Sequence, residues 1–186
     1  MSCAIVIQGA IGSGKTRACL RLAERARSEG LEAGGVICTR VFEGGGLIGY
    51  DGLDPASGES FPLSRLRNTV DGLGWFGFGN LIYSFSSEGF TRANGILKAC
   101  ADGWERLNIV FIDEFGRLER AKLGLYTGAS MVAESLKKGG IAVFTCRSDL
   151  VGSVEEFLMG RARRILIFEP NEEEAILRAI TEHFPL

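Results

Sequence analysis

Eight residues near the start of the chain, Gly9-Ala10-Ile11-Gly12-Ser13-Gly14-Lys15-Thr16, have the types and spacing needed to hold a polyphosphate. They fit the pattern G-x-x-x-x-G-K-[ST]. In that pattern glycines let backbone N–H groups turn inward, the lysine offers a point charge to the β- and γ-phosphates, and the hydroxyl is a ligand for Mg²⁺. Arg17, the next residue, completes the predicted nucleotide-binding set. Roughly a hundred positions on, Asn108-Ile109-Val110-Phe111-Ile112 is an apolar run that ends in two acids, Asp113 and Glu114. A carboxylate at the carboxyl end of a parallel strand faces the crevice where ligands sit. Asp113 is therefore expected to meet the metal opposite Thr16, and Glu114 to polarise a water for in-line attack on the γ-phosphorus. Lys15 and Glu114 are the predicted catalytic pair. Taken alone, the two acids would also suit a polar strand end before a turn.

Other residues suggest supporting chemistry. Thr145, at the end of Ile141–Phe144, and Arg147 two residues later stand where a sensor of the γ-phosphate would sit, although a plain strand-to-turn transition reads equally well. Arg40 lies near the end of the second expected strand and is a candidate to reach the same cleft, with a surface position the alternative. Arg117 and Arg120 follow the acids. Arg161-Ala162-Arg163-Arg164 suits a solvated face, a stacking surface or an arginine offered across a subunit interface. Trp75, Phe76 and Phe78 lie among glycines and would cap a nucleotide, form a partner patch or tuck a loop onto the core. No N-K-x-D base-reading motif is present, which argues against strict guanine specificity.

The elements that must position these residues can be read from periodicity. Cys3 to Ile7 is a short buried strand, and Thr16 to Arg27 an amphipathic helix with Ala18, Leu20, Leu22, Ala23 and Ala26 among charges. This strand, loop and helix order aims a positive helix end at the phosphates. Val36 to Phe42 reads as a strand. Residues 43–67, punctuated by glycine, read as an antiparallel hairpin excursion, and Asn68 to Asn80 as a mobile loop. A strand at Leu81 to Phe85 and a helix from Ser87 to Asp102 precede the acid-bearing strand. A helix over Ala121 to Lys138, a strand at Ile141 to Thr145 and a short helix at Val154 to Met159 follow. The last strand is Arg164 to Phe168, and Pro170 with Glu172, Glu173 and Glu174 opens the closing helix. Strands alternating with helices predict a mostly parallel α/β sheet in three layers with right-handed crossovers.

Composition narrows the class. A chain of 186 residues that is 46% hydrophobic is expected to form a single domain, 1–186, with a full core. No apolar run reaches the roughly 20 residues of a membrane span, and the first residues do not resemble a signal peptide. A net charge of −2 argues against a standing nucleic-acid surface, while a protein partner stays open. Five scattered cysteines and one histidine fit no zinc spacing and predict reduced, buried thiols in a cytoplasmic protein.

Three stretches together resemble the small P-loop nucleoside-triphosphatases, a family that spans thermostable archaeal and bacterial enzymes and a cancer-related animal enzyme. They are the glycine loop, Gly34–Arg40 with Gly45–Tyr50, and Phe111-Ile112-Asp113-Glu114-Phe115-Gly116-Arg117-Leu118-Glu119. The resemblance runs through most of residues 4–145. It implies slow, Mg²⁺-dependent hydrolysis of several nucleoside triphosphates to diphosphate and phosphate, on a sheet of the additional-strand, catalytic-glutamate type. It maps Lys15 and Thr16 to phosphate and metal, Asp113 to metal and Glu114 to water activation. The chain departs from the family at Arg117, where a lysine is usual, and at Cys38-Thr39, where acids are usual. A nucleotide-dependent adaptor, akin to those of molybdenum-cofactor assembly, is the alternative of a different class. A small-molecule kinase is third and would need an acceptor pocket.

Overall fold

The computed structural model describes residues 2–184, and nine strands in it form one sheet flanked by helices. The strands are β1 (Cys3–Gln8), β2 (Ala33–Glu43), β3 (Gly46–Leu53), β4 (Ser60–Leu66), β5 (Trp75–Gly77), β6 (Tyr83–Ser86), β7 (Ile109–Ile112), β8 (Ile141–Cys146) and β9 (Arg164–Phe168). The helices are α1 (Lys15–Ser28), α2 (Ser87–Asp102), α3 (Arg117–Arg120), α4 (Tyr126–Ser135), α5 (Val151–Leu158) and α6 (Glu173–His183). Across the sheet the order is β5-β6-β4-β3-β2-β7-β8-β1-β9. Strands β2, β7, β8, β1 and β9 run parallel, and β3, β4, β6 and β5 form an antiparallel wing. Strand β8 lies between the glycine-loop strand β1 and the acid-bearing strand β7.

Alternation along the strands divides the core into two layers. Ala4 and Val6 of β1 point to one face and join Ala93 and Leu97 of α2, Val132 of α4 and Val154 of α5. Cys3, Ile5 and Ile7 point to the other and join Ala18 and Leu22 of α1 with Ile176 and Ile180 of α6. Runs such as Ile109–Ile112 are fully buried because both faces of the parallel half are covered. All five cysteines are buried and free. None of the helices among the described residues is long and apolar enough to cross a membrane.

Several element boundaries differ from the sequence expectation. Strand β2 carries both halves of the sheet: Ala33–Val36 pair with β7 in parallel, and Ile37–Glu43 pair with β3 antiparallel. The wing therefore begins inside β2 and extends to Ser86, beyond the expected 43–67 excursion. The loop expected over 68–80 contains a strand, β5, because Phe76 packs its ring 5.8 Å from Phe85 of β6 and 6.5 Å from Phe90 of α2. The helix expected from Ala121 begins only at Tyr126: Lys122 (φ 58°) and Gly124 (φ 62°) are left-handed, which no α-helix accommodates. Its final residues, Leu136–Lys138, form a 3₁₀ turn. Helix α5 starts three residues earlier than expected, at Val151. Pro170 lies in the turn before α6 rather than in its first turn.

Candidate functional site

Strand β1 ends at Gln8 and the chain turns through the glycine loop into α1, whose first residue is Lys15. The Gly9 N–H donates to the Cys146 carbonyl (3.2 Å), which ties the start of the loop to the end of β8. Gly12 (φ 80°) and Gly14 (φ 98°) both hold left-handed conformations that side chains resist, and Gly14 is the N-cap of α1. Ala10, Ile11, Gly12 and Ser13 form an exposed crest, with Ile11 74% exposed. Lys15 is buried beneath it, and its Nζ donates to the carbonyls of Gly9 and Ala10, each at 3.0 Å. The ammonium is thus held under the loop by the loop's own backbone.

The acids approach from the neighbouring strand. Asp113 is fully buried at the end of β7. Its Oδ1 accepts the Thr145 hydroxyl (2.5 Å) and its Oδ2 accepts the Cys38 N–H (3.0 Å). Burial pushes the Asp113 carboxyl above the usual range, against hydrogen bonds from Thr145, Thr16 and the Cys38 amide and the charge of Lys15. Thr16 and Asp113, the two expected metal ligands, line the same cleft.

Glu114 sits one residue on, in a left-handed turn at φ 64°, a conformation that costs of order 1–2 kcal/mol for a residue with a Cβ. Thr145 clamps both sides of that turn. Its Oγ1 accepts the Glu114 N–H (2.9 Å), and its carbonyl accepts the Phe115 N–H (2.8 Å). Phe115 is buried and stacks 4.8 Å from Phe157 and 5.8 Å from Phe144. The Glu114 side chain is left open to the cleft. The surrounding protein and the nearby Asp113 charge push its carboxyl upward, opposed by Lys15, Arg40 and Arg147.

The cleft these groups face has a volume of about 710 Å³. Gly12, Gly14, Lys15, Thr16 and Arg17 form one wall and Asp113, Glu114 and Arg147 another. Gly9, Ala10 and Ser13 lie in the loop but not on the cleft wall, and Thr145 reaches the cleft only through the groups it holds. The Arg147 guanidinium is paired in two bonds with Asp149 (2.9 and 3.0 Å). The third wall comes from the wing, where Arg40 of β2 stands beside Tyr50, Leu63, Tyr83 and Phe85.

Two contributors have no counterpart in the expected site. The Cys38 amide holds Asp113, and no local pattern signals a backbone contact between residues 75 positions apart. Glu119 is buried under the turn that follows Glu114. Its Oε2 accepts the Gly116 N–H and its Oε1 the Leu125 N–H, both at 2.8 Å. The spacing Gly116-x-x-Glu119 is the half of a helix capping box that could have pointed to it.

Known proteins share this architecture. A human cancer-related nucleoside triphosphatase, solved in solution, superposes with a TM-score of 0.68 at 21% identity, covering 96% of each chain. The crystal structure of THEP1 from Aquifex aeolicus gives the same score at 18% identity over 98% of this chain and 99% of that one. Nucleoside-triphosphatase THEP1 of Methanopyrus kandleri is 30% identical over 115 residues, which are 62% of this chain and only 58% of that relative's length. THEP1 of Pyrobaculum calidifontis is 32% identical over 134 residues, 72% of this chain and 69% of its own. The NTPase family matches residues 4–181, nearly the whole chain. With sequence and fold in agreement from β1 to α6, this chain belongs to the NTPase family.

Proposed function

We propose that the cleft hydrolyses nucleoside triphosphates, ATP, GTP and others, to the diphosphate and phosphate with Mg²⁺. The observation that carries this reading is the convergence of Lys15, Thr16, Asp113 and Glu114 on one cleft at the mouth of the glycine loop. Such a site acts by positioning and electrostatics more than by covalent chemistry. The loop amides and Lys15 would cradle the β- and γ-phosphates, with Lys15 exchanging the Gly9 and Ala10 carbonyls for phosphate oxygens. The Thr16 hydroxyl and the Asp113 carboxylate are hard oxygen donors that line the same cleft, a pair suited to Mg²⁺ that arrives with the phosphates rather than in an all-protein cage. Bound there, Mg²⁺ would supply charge neutralisation to the phosphate oxygens. Glu114 would orient the attacking water and take its proton as the water oxygen bonds to the γ-phosphorus and the bridge to the β-phosphate breaks. Thr145 would hold Asp113 and Glu114 in register. Strand β8 between β1 and β7, with a glutamate directly after the metal-side aspartate, fits the additional-strand, catalytic-glutamate arrangement.

The test is phosphate release from ATP, GTP, CTP and UTP with Mg²⁺ and with chelator. Many turnovers per chain that stop with chelator are expected. The second reading, a nucleotide-dependent adaptor, is favoured by Leu73, fully exposed in the segment between β4 and β5. It predicts at most one phosphate released per chain and retention of the diphosphate, which would overturn the enzyme reading.

A further inference from the structure

Strand β2 leaves its parallel partner at Val36, opposite Ile112, and continues beyond the carboxyl edge of the parallel sheet. Four residues at about 3.3 Å each carry Arg40 roughly 13 Å past that point, out over the mouth of the glycine loop. The side-chain period of two places Arg40 on the same face as Cys38, whose amide holds Asp113. The guanidinium accordingly ends against the loop itself: its Nη2 lies 3.6 Å from the place a Cβ on Gly12 would take.

Three further facts single this arginine out. Among the described residues Arg40 makes no hydrogen bond and no ion pair, whereas Arg147 on the other side of the cleft is already committed to Asp149. It lines the same cleft as Glu114 and Tyr50, close enough for its charge to act on both. Tyr50 is its direct cross-strand neighbour and is itself propped by Tyr83, with ring centroids 5.5 Å apart. An uncommitted cation beside the phosphate loop, on a strand anchored to the metal-side aspartate, is where charge on a departing phosphoryl group needs to be met.

We infer that Arg40 is a catalytic residue that contacts the terminal phosphoryl group from within the same chain, an arginine supplied in cis by the antiparallel wing. The inference rests on the hydrolytic reading above. As water bonds to the γ-phosphorus, its proton passes to Glu114 and the electron pair of the breaking bond goes to the leaving diphosphate. The equatorial oxygens carry the charge that Arg40 neutralises. No neighbouring copy of the chain is required to complete the site.

The test uses Arg40→Ala and Arg40→Lys in the full chain, with two readouts. The first is steady-state phosphate release, expected to fall roughly 10²–10³-fold in Arg40→Ala, with partial recovery when guanidinium ion is added. The second is binding of ADP alone against ADP with aluminium fluoride, which mimics the transferring phosphoryl group. Arg40→Ala is expected to keep its affinity for ADP within about twofold and to lose about tenfold or more for the fluoride complex. A mixture of Arg40→Ala with Glu114→Gln should stay inactive. Turnover within about threefold of wild type together with unaltered fluoride-complex affinity would overturn the inference, and so would recovery of activity in the mixture, which places the arginine in a neighbouring chain. A wild-type protein that releases no phosphate, while Arg40→Ala still loses the fluoride complex, would instead overturn the hydrolytic reading and leave the Arg40 contact standing.

Discussion

Glu119 is the residue whose protonation the fold perturbs in a way that can be read in stability. Burial pushes its carboxyl up to about 7, despite the Leu125 and Gly116 amides that favour the ionised form. A carboxyl raised above its unfolded value near 4.5 binds its proton more tightly when folded, so its contribution is fully present below pH 4.5 and is lost as pH rises through 7. The size is of order 3 kcal/mol by the usual conversion. Urea unfolding of wild type and Glu119→Gln from pH 4.5 to 8 should show the wild-type advantage shrinking with pH. A constant difference would contradict the assignment. The groups of the glycine loop and the two acids were legible in the sequence because each belongs to a contiguous motif whose chemistry dictates its residue types. The hydrogen bonds that fix them, from Thr145 and Cys38 to Asp113, join strands far apart in the chain and leave no local trace. Thr145 was legible as a polar group at a strand end; that its hydroxyl serves the acids is visible only in three dimensions.

At the scale of elements, two glycines give opposite expectations. Gly35 lies in β2 at φ 109°, and a Cβ there would overlap the Phe111 backbone of β7, 2.6 Å from its nitrogen. Gly35→Ala should therefore part β2 from β7 and destabilise by more than about 3 kcal/mol. Gly95 sits on the exposed side of α2 with open space around it, so Gly95→Ala should stabilise by about 0.5–1 kcal/mol. Thermal unfolding of both variants checks the pair, and a soluble Gly35→Ala with an unchanged midpoint would contradict the packing described. Most strands and helices were readable because their apolar periods are long and clean, as in α2, where the Ser86 hydroxyl also accepts the Gly89 N–H. The misread segments share a cause. Strand β5 has three residues and is held by ring packing from distant elements, and the stretch before α4 is governed by left-handed residues and by the Glu119 cap.

In the whole molecule, β2 joins the parallel half that carries the glycine loop and acids to the wing that carries Arg40, Tyr50 and Phe85. The sequence made the α/β class and the order of its elements legible, since strands and helices alternate outside the wing. It did not reveal that the wing forms one continuous nine-stranded sheet with the parallel half, because that depends on a single strand changing partners at Val36. The same sheet brings residues about a hundred positions apart to one cleft, and the functional account depends on that meeting. Glu114→Gln tests it most directly, because the amide keeps the shape of the side chain but cannot accept a proton from water. Phosphate release and triphosphate affinity should be measured on the same preparation. Turnover is expected to fall by about 10²-fold or more with nucleotide binding retained. Turnover close to that of wild type would contradict it.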